Sequence, residues 1–164
     1  MGYVEDCFLV RTVWIDAASE RRRMVHPRKS YPIDPGLIPL FDRAGRANLG
    51  HALETAVLLE LERRRLNVTY VRTREGYEVD FFVRHPTGDE ELIQVCADAT
   101  TTAVSDRELR ALVDAGRLYP KAIRRLLTAT LDGLPAALPG DVVGQTAYEW
   151  MLSIPAQPSV GPVR

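Results

Sequence analysis

The sequence predicts an α/β fold in which a β-sheet is flanked by helices. Three observations carry that expectation. A strongly helical stretch, 47–66, precedes three short segments rich in β-formers, 68–73, 77–83 and 91–97. A second helical stretch, 105–116, follows them. The 164 residues are 46% apolar and 26% charged, which suits one soluble domain or slightly more and suffices for a real core.

Local signals justify each element in chain order. "CFLVRTVWI" (7–15) reads as a strand and "RKSYPID" (28–34) as its partner, so 7–34 forms a hairpin with an Arg-rich tip. "DPGLIPLF" (34–41) opens on a turn signal and suits a short helix with Pro35 at its first position. In 47–66, Asn48 is the N-cap and Arg63, Arg64 and Arg65 fall in the last turn, where cations favour the helix dipole. Short turns, "REG" and "RHPTGDE", join the three β segments into an antiparallel meander. "SDRELRALVDAG" carries Ser105 as N-cap, Glu108 completing a capping box and Gly116 as a stop. "KAIRRLLTATL" (121–131) is ambiguous by period, "TAYEWMLS" (146–153) reads as a final helix, and 154–164 as a flexible Pro/Gly/Ser tail.

Composition excludes several classes. No apolar run is long enough to cross a membrane and no signal-peptide pattern opens the chain, so a soluble, cytoplasmic protein without a membrane partner is expected. Cys7 and Cys96 make neither a disulfide framework nor a metal knuckle, and both are expected reduced and buried. His26 and His51 lack Cys/His partners at ligand spacing. The net charge of −1 argues against a surface that is nucleic-acid-binding throughout. Yet "RRRMVHPRK" (21–29) holds Arg21, Arg22, Arg23, Arg28 and Lys29 with no acid, a local basic arm able to meet phosphate.

The stretch "EVDFFVRHPTGDEELIQVCAD" (78–98) raises a chemical question. Strand alternation puts Glu78, Asp80 and Phe82 on one face of the first strand, and Gln94 and Cys96 on one face of the second. If the polar faces coincide, Glu54, Asp80, Gln94 and Cys96 meet. A hard divalent ion such as Mg²⁺ takes oxygen ligands, lowers the pKa of a bound water and neutralises charge on a phosphate under attack. A nearby lysine stabilises the transition state.

Several segments, in order, resemble a known family: "KSYPIDPGL", "GHALETAVLLELERRRLNVTYVRTREGYEVDFFV", "LIQVCAD", "SDRELRAL" and "LYPK". They are similar to the C-terminal domain of a large group of bacterial and archaeal AAA-type ATPases, a domain of unknown function that looks like a PD-(D/E)XK, restriction-endonuclease-like fold. The resemblance implies a mixed sheet flanked by helices, and a strand at 121–131. It divides the chain into the end of a winged-helix segment (1–34, the wing hairpin), a nuclease-like domain (35–153) and the tail (154–164). Arg21, Arg22, Arg23, Arg28 and Lys29 become the nucleic-acid-binding wing. Nothing matches GxxxxGK[ST], so the ATPase module is a partner that this chain does not contain.

In the resemblance, Glu54 and Asp80 hold the helix and first-strand acids, and so the metal positions. Gln94 stands where the second acid belongs and Cys96 where the lysine belongs, a degenerate catalytic motif. The chain has only two lysines, Lys29 and Lys121, and Lys121 is the candidate for a migrated catalytic lysine. The expected function is an accessory module without cleavage, binding DNA or a protein partner. The alternatives are an active Mg²⁺-dependent DNA nuclease with a rearranged site, or a structural, oligomerising domain. No cofactor is expected unless the site is active.

Overall fold

The computed structural model describes residues 7–41, 48–97 and 102–153; the expected tail, 154–164, lies outside them. Strand β1 (Val10–Val13) pairs antiparallel with β2 (Lys29–Pro32), Val13 opposite Lys29. The Arg-rich segment between them is not an open tip: it forms the six-residue helix α1 (Glu20–Val25). Ser19 caps it by accepting from the Arg22 N–H at 3.3 Å, a local bond that lets the short helix start. A 3₁₀ turn, Pro35–Leu37, capped by Asp34, leads into α2 (Ile38–Phe41).

Helix α3 (Leu49–Arg63) starts at Asn48, whose side chain accepts from the His51 N–H, and the chain leaves it through Arg65 at φ 59°. Strands β3 (Asn67–Arg72), β4 (Glu78–Arg84) and β5 (Glu90–Cys96) form the expected meander. Its two turns need Gly76 and Gly88 at φ 88° and 94°, where a Cβ would be strained. Helix α4 (Thr102–Leu118) then crosses over to β6 (Ile123–Thr128), parallel to β5, and β7 (Val142–Thr146) adds parallel to β6. Helix α5 (Ala147–Leu152) closes the described chain behind a Thr146–Glu149 capping box.

The sheet is therefore five-stranded and mixed, in the order β3-β4-β5-β6-β7. Some element ends differ from expectation. Helix α4 begins a turn before Ser105, which is thus interior, and it runs through Gly116. Gly116 provides room rather than a stop: a Cβ there would overlap the Arg124 guanidinium. Strand β7 was not legible, because Gly144 interrupts its β-forming run; the glycine is needed where Leu134 and Leu138 close over it.

Two buried clusters sandwich the sheet. Val57, Leu58 and Leu61 of α3, with Trp150 of α5, cover Phe81, Val83, Ile93 and Val95. Ala111, Leu112 and Ala115 of α4 cover Val79, Phe82, Leu92, Cys96 and Leu126 on the other face. The hairpin belongs to the first cluster: Val13, Ile15 and Tyr31 are buried in it. Beyond β1 the chain docks along edge strand β3, where the Tyr70 N–H donates to the Trp14 carbonyl at 2.8 Å and the Asp16 N–H to the Tyr70 carbonyl at 2.7 Å. The expected division at residue 34 therefore does not coincide with a boundary between two cores. Cys96 is buried as expected, but Cys7 is exposed, at the start of the described chain.

A shared core predicts one cooperative transition. The chain has two tryptophans, Trp14 beside the hairpin and Trp150 on α5. In urea, fluorescence of the two single-tryptophan variants is expected to give coincident midpoints, and Tyr31→Ala to shift both down together, a loss of stability of about 3–5 kcal/mol. Separate midpoints would show that the hairpin folds on its own.

Candidate functional site

The site forms where β4 departs from regular pairing. Thr69 lies opposite Phe82 and Val71 opposite Val79, so β4 carries one residue more than β3 over that interval. This bulge breaks the simple alternation: Val79 and Phe82 pack on the same cluster, although three positions apart. Asp80, within the bulge, turns into the seam between β4 and β5. Its Oδ2 accepts from the Val95 N–H at 3.0 Å, and its own N–H donates to Gln94 Oε1 at 3.3 Å. Bulges re-aim side chains in this way, and a period-2 reading cannot see them.

The hairpin delivers the counter-charge. Lys29 Nζ lies 2.8 Å from Asp80 Oδ1 and 2.8 Å from Glu78 Oε1. Only 19% of the Lys29 side chain and 9% of the Asp80 side chain are exposed, so solvent screens this pair little. Burial alone would lower the Lys29 pKa, but Asp80 and Glu78 outweigh it and hold the ammonium above its ordinary range. Two residues on, Tyr31 donates its hydroxyl to Glu54 Oε2 at 3.1 Å, and its ring stacks on His51 with centroids 5.3 Å apart. Burial and the nearby Lys29 charge push His51 below its ordinary value, so it is neutral at physiological pH.

The expected residues are thus partly gathered. Glu54 and Asp80 are close enough that, after burial, the Asp80 charge raises the Glu54 carboxyl. Gln94 joins them through its carbonyl oxygen, while its amide donates to Glu108 Oε2 at 2.5 Å. Cys96 is packed among Val79, Phe82 and Leu92 beneath α4. Lys121 is exposed in the turn before β6 and pairs with neither acid, so the lysine that reaches Asp80 is Lys29 instead. That also corrects the place of Lys29 in the basic arm, since its charge is turned inward. Glu108, Tyr31 and Glu78 were not among the expected site residues. Spacing from Ser105 marks Glu108 as completing a capping box, which the helix start at Thr102 overturns; the tertiary fold brings Glu108 to Gln94 instead.

Arg21 and Arg22 remain on the exposed surface of α1, while Arg23 reaches Glu20 at 3.6 Å and stands over the Trp14 ring. Arg28 also stands over the Trp14 ring, its guanidinium carbon 3.6 Å from the ring centroid.

As arranged, these donors do not fit a hard divalent ion. Asp80 has one oxygen on Lys29 and the other on a backbone N–H, and Gln94 directs its carbonyl at Asp80 N–H. Glu54 shares Oε2 with Tyr31, and burial, followed by the Asp80 charge, pushes its carboxyl up to about 7. Among the described residues no group of three His, Cys, Asp or Glu side chains is placed to hold a metal ion. No helix among them is long and apolar enough to cross a membrane. No family model, curated protein or solved structure matches the chain.

Two stability predictions follow from the charges. Removing Lys29 leaves Asp80 buried and uncompensated, so Lys29→Met is expected to cost about 3 kcal/mol in urea unfolding, with part recovered in the double variant that adds Asp80→Asn. Because folded Glu54 holds its proton up to about 7, against an ordinary 4.5, its ionisation weakens the fold as pH rises across that window. In Glu54→Gln the loss of stability between about pH 5 and 8 should shrink by roughly 1–3 kcal/mol; an unchanged pH profile would show that Glu54 is not the group responsible.

Proposed function

We propose that this chain is a nuclease-like accessory module of PD-(D/E)XK type that does not cleave, and that it binds DNA for an AAA-type ATPase. The ATPase association rests on the ordered sequence resemblance alone. The absence of cleavage rests on one observation: the Lys29 ammonium is seated against Asp80 and Glu78, where a metal-dependent nuclease needs carboxylates facing a divalent ion. Mg²⁺ would have to displace a buried ammonium while gaining one carboxylate fewer, because Gln94 is neutral. DNA binding is supported by Arg21 and Arg22, exposed on α1 with no acid drawn onto them among the described residues.

The same lysine supports a second reading, an active nuclease whose lysine arrives from the hairpin rather than from position 96. Under that reading Lys29 would steady the charge that builds on the phosphate. The two differ in a plasmid-nicking assay with Mg²⁺ or Mn²⁺ at neutral pH. No nicking is expected from the unmodified chain, with metal binding absent by calorimetry. Nicking that Asp80→Ala and Lys29→Ala both abolish would establish the second reading. Replacing Cys96 by lysine is not a route to activity, because it would set an ammonium among Val79, Phe82 and Leu92.

Binding is tested separately. Replacing Arg21, Arg22 and Arg23 by Ala should weaken binding to all DNA sequences alike and flatten the salt dependence by up to about three, near 0.9 per lost phosphate contact. No binding by the unmodified chain at low salt would favour a structural or oligomerising role.

A further inference from the structure

A groove of about 510 Å³ lies between the hairpin, edge strand β3 and the end of α4, and four arginines line it: Arg22, Arg72, Arg74 and Arg84. Arg84 is already engaged, donating to both Asp16 oxygens at 2.9 and 3.2 Å, while the Tyr119 hydroxyl donates to Asp16 at 2.6 Å. Arg84 also pairs with Glu90 at 3.4 Å, so its charge is fully matched. Arg22, Arg72 and Arg74 are exposed, and among the described residues none of the three forms an ion pair. Several other arginines, by contrast, are matched by acids, as in Arg63–Glu60, Arg117–Asp114 and Arg125–Glu91. Uncompensated guanidinium groups that converge on a concavity attract anions, and their fork of donors matches phosphate oxygens.

The groove is continuous with the hairpin surface. Arg22 also lines a second depression, with Arg21 and His26. The hairpin is fixed beside β3 by the Tyr70 hydroxyl, which donates to the Pro27 carbonyl at 2.5 Å, and by the Trp14–Tyr70–Asp16 backbone bonds. Hydrogen bonds thus tie the hairpin that carries Arg22 to the strand that ends in Arg72. The surroundings of Lys29 carry the opposite charge: Asp80 and Glu78 both pair with this single lysine, and Glu54 and Glu108 stand nearby. A phosphate chain is repelled from those carboxylates and drawn to the groove.

We propose that the groove binds the phosphodiester backbone of DNA, which runs from the α1 arginines across the edge of β3 onto Arg72 and Arg74, and not toward Lys29 and its carboxylates. This rests on the DNA-binding reading above. The test is fluorescence anisotropy of a short labelled DNA duplex, titrated at several salt concentrations with three proteins. These are the unmodified chain, the double variant Arg72→Ala with Arg74→Ala, and the triple variant Arg21→Ala, Arg22→Ala and Arg23→Ala. Both arginines are exposed, so the double variant is expected to keep its unfolding midpoint. Its salt slope should fall by about two, and binding to unrelated sequences should weaken alike. A slope unchanged in the double variant but reduced in the triple variant overturns the groove and leaves the DNA reading standing. Failure of the unmodified chain to bind overturns both.

Discussion

The ion pair between Lys29 and Asp80 is the contact on which the rest of the molecule depends. It joins the first hairpin to the second strand of the main sheet, across 51 residues of chain. It also explains why the hairpin lies where it does. An ammonium taken out of water is stable only against carboxylates held at hydrogen-bonding distance, and a buried carboxylate needs the cation equally. Neither partner can be buried alone. Once they meet, Tyr31, two residues along the same strand, is placed to reach Glu54, and its ring fills space against His51 and Phe81.

The β4 bulge is the geometric counterpart of that charge pair. Regular pairing would keep Asp80 on the same face as Phe82, under α4 and away from the hairpin. One extra residue in β4 moves it into the seam, where the Val95 N–H and the Gln94 carbonyl complete its surroundings. Gln94 then does what a carboxylate at that position could not. Its amide accepts on one side and donates to Glu108 on the other, linking two acids without adding a third charge. The outcome is a polar centre satisfied by its own members. Under the proposed reading that self-sufficiency is what separates this domain from a metal-dependent enzyme.

Much of the fold was legible in the sequence because its signals are local. Asn48, Asp34 and the glycines at 76 and 88 mark helix starts and turns by bonds to their immediate neighbours. The apolar pattern of 68–97 specifies three strands without reference to anything distant. What the sequence did not reveal depends on contacts far apart in the chain. Lys29 read as part of a basic run because its four neighbouring charges are basic, and nothing local says that one of the five turns inward. Glu108 read as a helix cap because Ser105 stands three residues before it, although the helix starts a turn earlier. Strand β7 was hidden by Gly144, whose lack of a side chain makes sense only once Leu134 and Leu138 are seen above it.

The docking of residues 14–16 along β3 has a further consequence, for handling and for solubility. An outer strand with free N–H and C=O groups is a template on which another chain can add. Here the bridge between Ile15 and Tyr70 covers the middle of that strand, and the hairpin shields it. A shortened protein cut near residue 34, a natural choice if the hairpin were taken for a separate unit, would uncover Val68 and Tyr70 and strip Asp80 of its cation in one step. Such a fragment would self-associate through its bare margin before any question of activity arose, and its insolubility would say nothing about the intact chain.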